Sequence, residues 1–285
     1  MDYAKYLKWL PDEAFSKLKF RYIMGYPLDL KNPKTFNEKL QWMKLYNNDP
    51  IYNILVDKYK VKKYVADLIG EEYIVPNYGV WDKFDDIDFD KLPQSFVLKC
   101  NHDSGGLYIV PDKSKMDMAK ARKKIETCLN YNYYWHSRER VYKNVVPKII
   151  AEKYLEGGEL GMIDYKFYCF DGVPKFIYVS AGLDDHSTAR ISFLTMDWEF
   201  APFQRDDYRH FDELPQKPEG FDKMTEAVKV LSKGHRFIRI DMYEHKGHIY
   251  FSEYTVVPNG GFMRFKPEKY DAIVGEWINL NGLIS

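Results

Sequence analysis

The sequence has little of three things: net charge, cysteine and long apolar runs. Lysine plus arginine and aspartate plus glutamate each number 42 in the 285 residues, so no basic excess is available to neutralise nucleic acid phosphates. The three cysteines, Cys100, Cys128 and Cys169, are an odd number whose spacing suits neither a disulfide framework nor a zinc site. No window approaches the roughly 18 consecutive apolar residues of a membrane span. These absences predict a cytoplasmic protein with no nucleic acid partner and no transmembrane segment.

The composition nevertheless supplies a large core. Hydrophobic residues make up 45% and aromatic residues 17% of the chain, which is enough apolar area to offset the conformational entropy lost on folding. At roughly 100–200 residues per domain, a chain of this length forms one large domain or two modest ones. The sequence pattern predicts a helical N-terminal segment over 1–71, followed by two mixed regions over 72–155 and 156–285.

The N-terminal segment carries helix signals. Thr35 and Glu38 have the spacing of a capping box, and an amphipathic run over 54–69 ends at Gly70. The locally basic part of that run is most simply the solvated face of a helix. Its lysines are Lys58, Lys60, Lys62 and Lys63.

Short strand patterns dominate the rest of the chain. The runs 165–170 and 175–179 flank one short turn, and the runs 237–243 and 248–255 flank another, so two hairpins are predicted. A helical pattern over about 224–232 separates them. We therefore expect an α+β fold with mainly antiparallel sheets.

The segment FVLKCNHDSGGLYIV at 96–110 reads as strand, glycine-containing loop and strand, with Lys99 near the end of the first strand. This spacing is neither that of a P-loop nor that of a dinucleotide fingerprint. Glycines let backbone N–H groups approach phosphate oxygens, and a lysine adds a positive charge. The pattern is therefore that of a phosphate-covering flap, although an ordinary hairpin turn with a surface lysine has the same sequence signature.

The second hairpin brings carboxylates together. Strand alternation places Arg239, Asp241 and Tyr243 on one face, and Glu253 is expected opposite Arg239 and diagonal to Asp241. Two carboxylates at this distance suit Mg²⁺ that also binds substrate phosphates. A structural ion pair with Arg239 is the alternative reading of the same residues.

Two further strands carry candidate residues. Alternation along 164–168 places Asp164 and Lys166 on one face, a pattern shared by charged sites and by half-exposed strands. The segment 151–155 reads as the end of a strand whose backbone groups can bind the edge of an adenine, or simply as a connecting strand.

Taken in this order, the pieces resemble the ATP-grasp superfamily, in particular its TupA-like branch, named for teichuronopeptide biosynthesis and common in bacterial surface-polysaccharide gene sets. The resemblance covers most of the chain and rests on the set of motifs. They are PKTFNEKLQWMK at 33–44, VDKYKVKKYV at 56–65, LPQSFVLK at 92–99, the flap FVLKCNHDSGG at 96–106, PKIIAEKYL at 147–155, DYKFYCFDG at 164–172, RIDMY at 239–243 and FSEYTVVPNGG at 251–261.

The resemblance implies that two α+β lobes grip ATP between their sheets, with Mg²⁺ as a second cofactor. The residues it assigns to the nucleotide are Lys99, the flap residues Ser104, Gly105 and Gly106, the adenine hinge Glu152, Lys153 and Leu155, and Glu159, Asp164 and Lys166 near the ribose and phosphates. Asp241 and Glu253 would hold Mg²⁺, and Arg239 would stabilise an oxyanion together with the phosphate-binding Lys166. Many relatives read Glu-x-Asn at the metal strand, whereas Thr255 stands here in place of the asparagine, so it is the implied third ligand.

The activity implied by the resemblance is carboxylate–amine ligation in a bacterial cytoplasm, with a uronic acid or other sugar-linked carboxylate, an amine or amino acid, and transient association with membrane-bound assembly machinery. Candidate substrate residues are Arg190, Asn259 and Arg264, because arginine binds carboxylates bidentately and these residues stand in polar loops. The alternative is a nucleotide-sugar glycosyltransferase, since 86–90 contains two D-x-D patterns.

Overall fold

The structure is a computed structural model that describes residues 7–103, 105–158, 161–182 and 189–282. This part of the chain contains eight α-helices and eleven β-strands. The helices are α1 Asp12–Met24, α2 Phe36–Tyr46, α3 Ile51–Leu55, α4 Lys60–Ile69, α5 Met118–Leu129, α6 Tyr134–Ser137, α7 Phe221–Ser232 and α8 Lys269–Glu276. The strands are β1 Asn77–Trp81, β2 Phe96–Cys100, β3 Leu107–Val110, β4 Ile149–Lys153, β5 Asp164–Phe170, β6 Val173–Ala181, β7 Arg190–Thr195, β8 Gln204–Arg205, β9 Phe237–His245, β10 His248–Thr255 and β11 Phe265–Lys266.

The chain divides into two compact units. Unit 1 is Asn48–Leu155, and unit 2 combines the described residues of 7–47 with those of 156–282. The break after residue 155 coincides with a boundary expected from the sequence, whereas the helices before residue 72 are divided between the units. The three-part division into 1–71, 72–155 and 156–285 stays a prediction.

Unit 1 is built on a four-stranded antiparallel sheet of order β1-β4-β2-β3. One face packs on α5, where Leu98, Ala151 and Ile125 are fully buried. Because side chains alternate across a strand, the opposite face of β2 and β4 carries Lys99 and Glu152. The apolar core thus fixes the sheet face that presents the charged residues.

Unit 2 is built on a five-stranded antiparallel sheet of order β10-β9-β5-β6-β7. Helix α7 covers one face, where the rings of Phe167 and Phe221 stack at 6.0 Å. The other face combines an aromatic cluster around Tyr168 and Phe36 with charged residues of β5, β9 and β10. Asp241, for example, is 1% exposed.

The local signals explain these elements. The capping box predicted at Thr35 and Glu38 is confirmed at the start of α2, and both predicted hairpins are present. Their two-residue turns, Asp171-Gly172 and Lys246-Gly247, have positive φ at both positions, which matches the twist of antiparallel strands. The predicted antiparallel α+β fold is confirmed.

Two expectations about the helices need correction. The amphipathic run over 54–69 is not one helix, because α3 ends at Leu55 and α4 begins at Lys60. The Asp57 carboxylate accepts the backbone N–H groups of Tyr59 and Lys60 and so begins a new helix at this point. Among the described helices, none is both long and apolar enough to cross a membrane.

Candidate active site

Unit 1 holds a cluster of one carboxylate between two ammonium groups, hereafter the unit 1 cluster: Lys62, Lys99 and Glu152. Lys62 Nζ lies 2.8 Å from Glu152 Oε1, and Lys99 Nζ pairs with Glu152 Oε2. The Glu152 side chain is 6% exposed, Lys62 14% and Lys99 23%. Lys62 also donates to the Val75 carbonyl at 2.7 Å. The cluster is therefore a fixed, partly solvent-reachable group with net positive charge.

The environment of the unit 1 cluster shifts two pKa values. Burial by itself raises the pKa of Glu152, but the positive charges of Lys99 and Lys62 outweigh it, so the pKa is lowered overall. Burial lowers the pKa of Lys62, only partly offset by the charge of Glu152. The carboxylate thus stays ionised at neutral pH and holds both lysines toward one point.

The expectation that all four lysines of 58–63 form the solvated face of a helix is wrong for Lys62 and Lys58. Lys60 is 60% exposed as expected, but Lys62 is directed into the unit 1 cluster, and Lys58 Nζ donates to the Asp103 carbonyl at 2.5 Å. The sequence held only a weak signal for this, namely that Lys62 lies three residues before the buried Val65 and so near the same helix face.

Unit 2 holds the second group, hereafter the unit 2 cluster: Asp164, Lys166, Arg239, Asp241 and Glu253. Lys166 Nζ lies 3.1 Å from both Asp164 Oδ2 and Asp241 Oδ2. Arg239 binds Asp241 with two nitrogens, at 2.7 and 2.6 Å, and its Nη2 also lies 3.1 Å from Glu253 Oε1. Two cations and three carboxylates are thus connected on one face of the sheet.

Burial and charge act in opposite directions in this cluster. Burial raises the pKa of Asp164, assisted by the charge of Asp241, and Lys166 only partly offsets this. Burial alone would lower the pKa of Lys166 and Arg239, but the surrounding carboxylates reverse it, so both pKa values are raised. Both basic groups therefore remain charged throughout the physiological range.

A β-bulge in β10 aims Glu253 at Asp241. The turn Lys246-Gly247 pairs His245 with His248 and continues regularly to Met242 opposite Phe251. A regular ladder would then place Ser252 opposite Asp241 and direct Glu253 to the other face. The bulge inserts Ser252, so Glu253 pairs with Asp241 instead. The expected position of Glu253 opposite Arg239 is therefore wrong; Thr255 occupies it.

The donor set fits a hard divalent cation. Asp241 and Glu253 bind the same Arg239 nitrogen, so their oxygens lie within about 6 Å of each other, a spacing that one ion can bridge with oxygen ligands. The Thr255 hydroxyl lies 3.3 Å from Glu253 Oε1. In the described part of the chain, no group of three or more His, Cys, Asp or Glu side chains is arranged to hold a metal, so a cation here would need further oxygens, such as those of phosphates.

The other described residues that the resemblance assigns to nucleotide binding lie in the loop between β2 and β3 and at the end of β4. Gly105 and Gly106 lie in the loop between β2 and β3, where a Cβ on Gly106 would collide with Cys128 Sγ. Lys153 is the exposed last residue of β4, and Leu155 follows it. Their nucleotide contacts remain predictions, as does the ribose contact of Asp164. Two further candidates, Ser104 and Glu159, lie outside the described residues.

The three candidate substrate residues each have a different hydrogen-bond partner. Arg190 Nη1 contacts the His210 carbonyl and Asp212 Oδ2, each at 3.3 Å. Arg264 Nη2 donates to the Ile23 carbonyl at 2.5 Å. Asn259 Oδ1 accepts a hydrogen bond from Arg205 Nη1 at 3.1 Å. Sequence reasoning did not select Arg205, because its strand β8 has only two residues and therefore shows no alternating pattern.

The D-x-D patterns lie in two short 3-10 turns of unit 1. Asp88, which both patterns share, accepts the backbone N–H of Asp90 at 3.2 Å and pairs with Lys91. These contacts are those of a turn and its cap. They give no support to a metal–diphosphate site in this segment.

Two units with antiparallel sheets, each carrying a charged cluster, make up the described fold, and comparison with known families identifies the class of protein. The family model of the TupA-like ATP-grasp proteins matches residues 38–279. This chain therefore belongs to the TupA-like ATP-grasp family. No curated protein matches the sequence at a significant level.

Solved structures resemble the fold more distantly. D-alanine–D-alanine ligase from Bacillus anthracis, complexed with ATP, has a TM-score of 0.43 and 18% identity over 79% of this chain and 63% of the ligase. D-cycloserine synthetase DcsG has a TM-score of 0.42 and 14% identity over 80% of this chain and 72% of the synthetase. The ATP-grasp ligase PsnB, complexed with a minimal precursor, Mg and ADP, has a TM-score of 0.43 and 11% identity over 90% of this chain and 65% of PsnB. The chain thus spans less than two thirds of the D-alanine–D-alanine ligase and of PsnB, and no residue role is transferred from these structures.

Proposed function

We propose that this protein is an ATP-dependent carboxylate–amine ligase. The observation that carries the proposal is the bulge-dependent pairing of Asp241 with Glu253 around Arg239. Two carboxylates beside a fixed guanidinium are the groups needed to bind a divalent cation and to stabilise negative charge during phosphoryl transfer. Membership of the TupA-like ATP-grasp family supports the same reaction class.

We assign nucleotide binding to the unit 1 cluster, whose net positive charge favours an anionic ligand. Lys99 is the most exposed of its three side chains and is the residue we expect to contact phosphate oxygens. Lys62 is held by Glu152 and the Val75 carbonyl, so it adds positive charge at a fixed position. Pre-positioned charge of this kind lowers the reorganisation needed when a phosphate binds.

We assign the chemical step to the unit 2 cluster. A carboxylate oxygen of the substrate attacks the γ-phosphorus, the bond to the β-phosphate oxygen breaks, and ADP leaves. The amine nitrogen then attacks the acyl carbon, loses a proton and expels inorganic phosphate, which leaves an amide. Mg²⁺ bound by Asp241 and Glu253 would neutralise phosphate charge, and Arg239 and Lys166 would stabilise the oxyanions. No protein nucleophile is required.

For the substrates, we propose a uronic acid or other sugar-linked carboxylate and an amine or amino acid, in bacterial surface-polysaccharide assembly. This finer assignment is supported by the resemblance of the motifs and by the family, whose branch is named for teichuronopeptide biosynthesis. The reaction would take place in the cytoplasm with transient association with membrane-bound machinery.

The first experiment compares thermal midpoints with and without Mg²⁺ and ATP. At 100 times its Kd, a ligand stabilises the folded state by about 2.7 kcal/mol, on the order of 5–10 °C for a chain of this size. We expect this shift in the wild type, and loss of its Mg²⁺-dependent part in Glu253→Gln. Glu226→Gln is the matched control, because Glu226 is 73% exposed on α7 and pairs with Lys229 of the same helix. A shift with UDP-sugars and none with Mg²⁺-ATP would overturn the proposal.

The second experiment traps the intermediate. Hydroxylamine replaces the amine in a reaction with Mg²⁺, ATP and glucuronic or galacturonic acid. We expect a hydroxamate in amounts equal to the ADP formed, because an acyl-phosphate reacts with any strong nitrogen nucleophile. ADP together with a phosphorylated sugar hydroxyl would instead identify a kinase.

A further inference from the structure

Arg205 is a nearly buried arginine that the proposed reaction does not use, and it lies in β8, which pairs with β11 in a separate two-stranded sheet of unit 2. Its side chain is 6% exposed. The guanidinium lies over two rings, 5.6 Å from the centroid of Tyr178 and 5.2 Å from that of Tyr208, and Nη1 donates to Asn259 Oδ1. These contacts fix the plane and position of the guanidinium, as recognition of a planar anion requires.

One side of this guanidinium is bound by a carboxylate that reaches it from solvent. Arg205 Nε lies 2.8 Å from Asp207 Oδ1, and Nη2 lies 2.5 Å from Oδ2. Asp207 is 52% exposed, in contrast to the arginine, and follows β8 in a loop. Asp207 also lines a cavity of about 550 Å³ together with Ala189, Asp206, Tyr208 and Arg209. Asp207, the partner of Arg205, thus stands at the wall of a cavity of the size that small ligands occupy.

We propose that Arg205 binds a carboxylate of the amine substrate, with Asp207 occupying the same guanidinium nitrogens when that substrate is absent. Leaving a buried arginine unpaired costs several kcal/mol, whereas exchanging one carboxylate for another keeps the ion pair and its two parallel hydrogen bonds. Because Asp207 is half exposed and outside the sheet, its displacement disturbs little of the fold. The inference rests on the proposed ligase function and names the class of its amine: an amino acid.

The position of Arg205 separates this carboxylate from the one that reacts. Lys166 Nζ lies 5.9 Å from the Tyr178 centroid, so Lys166 and Arg205 contact one ring. Two cations that each lie within about 6 Å of a shared centroid are up to roughly 12 Å apart. Arg205 is bound by Asp207 and Asn259, not by the carboxylates of the unit 2 cluster, so a carboxylate on Arg205 would be a second one beside the carboxylate that receives the phosphoryl group. Arg205 would select a substrate whose amine and carboxylate are carried by one molecule.

The test is a binding comparison between amino acids and their amides. The probes are the common L-amino acids with D-alanine, each beside its carboxamide, added to the protein with Mg²⁺ and a non-hydrolysable ATP analogue. We expect at least one free acid to raise the thermal midpoint, and its amide to require at least tenfold higher concentration. Arg205→Lys should abolish that difference, because a lysine cannot form two parallel hydrogen bonds.

Two variants sharpen the result. Asp207→Asn should bind the same acid more tightly than the wild type, because the competing carboxylate is gone, and this holds even if Arg205→Lys folds poorly. Arg21→Lys changes an exposed arginine of α1 that does not line this cavity, and it should behave as the wild type. Equal binding of acids and amides, a midpoint shift with galacturonic acid that depends on Arg205, or no response to any amino acid would each overturn the inference. A missing shift with Mg²⁺-ATP alone would instead count against the ligase proposal.

Discussion

The two charged clusters use similar residues but carry opposite net charge. The unit 1 cluster holds one carboxylate between two lysines, whereas the unit 2 cluster holds three carboxylates and two cations. An excess of positive charge attracts an anion such as phosphate, and an excess of carboxylates attracts a cation. The contrast supports the proposed assignment of the nucleotide phosphates to the unit 1 cluster and of the cation to the unit 2 cluster.

The clusters also differ in how the backbone creates them. Lys99 and Glu152 share a sheet face through regular pairing of β2 with β4. Asp241 and Glu253 lie on the same face of the unit 2 sheet only because of the bulge at Ser252. Bulges re-aim side chains at functional sites, so the irregular strand is a stronger indication of selection for a site than the regular one.

The largest expected effect is that of Asp241→Asn. Asp241 is 1% exposed and binds both Arg239 and Lys166, so the variant weakens the partner of two buried cations. Removing one member of a buried ion pair costs about 3–5 kcal/mol, and we expect a loss of that order in the free energy of unfolding together with loss of turnover. Urea denaturation measures the first and ADP release the second.

Glu253→Gln separates these two effects. Glu253 is 33% exposed, so we expect a loss of less than about 1 kcal/mol in stability, with turnover reduced by about 10²–10³-fold, as for the removal of one transition-state-stabilising group. Equal losses of stability in both variants would show that the unit 2 cluster is a structural ion network rather than a site.

These cases show what the sequence could predict. Alternation along β5 and β9 places Lys166, Arg239 and Asp241 on one face without any tertiary information, and the motif set identifies the fold. The partner of Glu253 could not be predicted, because a bulge of one residue reverses the face of every later side chain. Arg205 was also beyond prediction, since it follows from long-range packing on Tyr178.

The unit 1 cluster makes a smaller, pH-dependent prediction. The pKa of Glu152 is lowered in the folded state, so its contribution to stability is present above the unfolded pKa of about 4.3 and is lost as the pH falls through the lower folded value. Glu152→Gln removes this contribution. We therefore expect the variant to be less stable by about 3 kcal/mol at pH 7, with the difference narrowing as the pH is lowered below about 4.

Urea denaturation of both proteins between pH 3 and pH 7 provides the measurement. Glu71→Gln, a change in an exposed residue of the same unit, is the control and should follow the wild type at every pH. A difference between Glu152→Gln and the wild type that stays constant down to pH 3 would contradict the lowered pKa.

The smallest effect distinguishes two lysines of one helix. Lys62 belongs to the unit 1 cluster, whereas Lys60 is 60% exposed and lies 4.0 Å from Asp57. Lys62→Met removes one of two positive charges while Glu152 keeps its pair with Lys99. We expect about tenfold weaker ATP binding, equal to about 1.4 kcal/mol, because the cluster loses its net positive charge. Lys60→Met should leave ATP affinity unchanged, as measured by titration calorimetry. Equal affinities in the two variants would mean that positive charge in the unit 1 cluster serves the fold, and the contrast between the clusters would then rest on the unit 2 carboxylates alone.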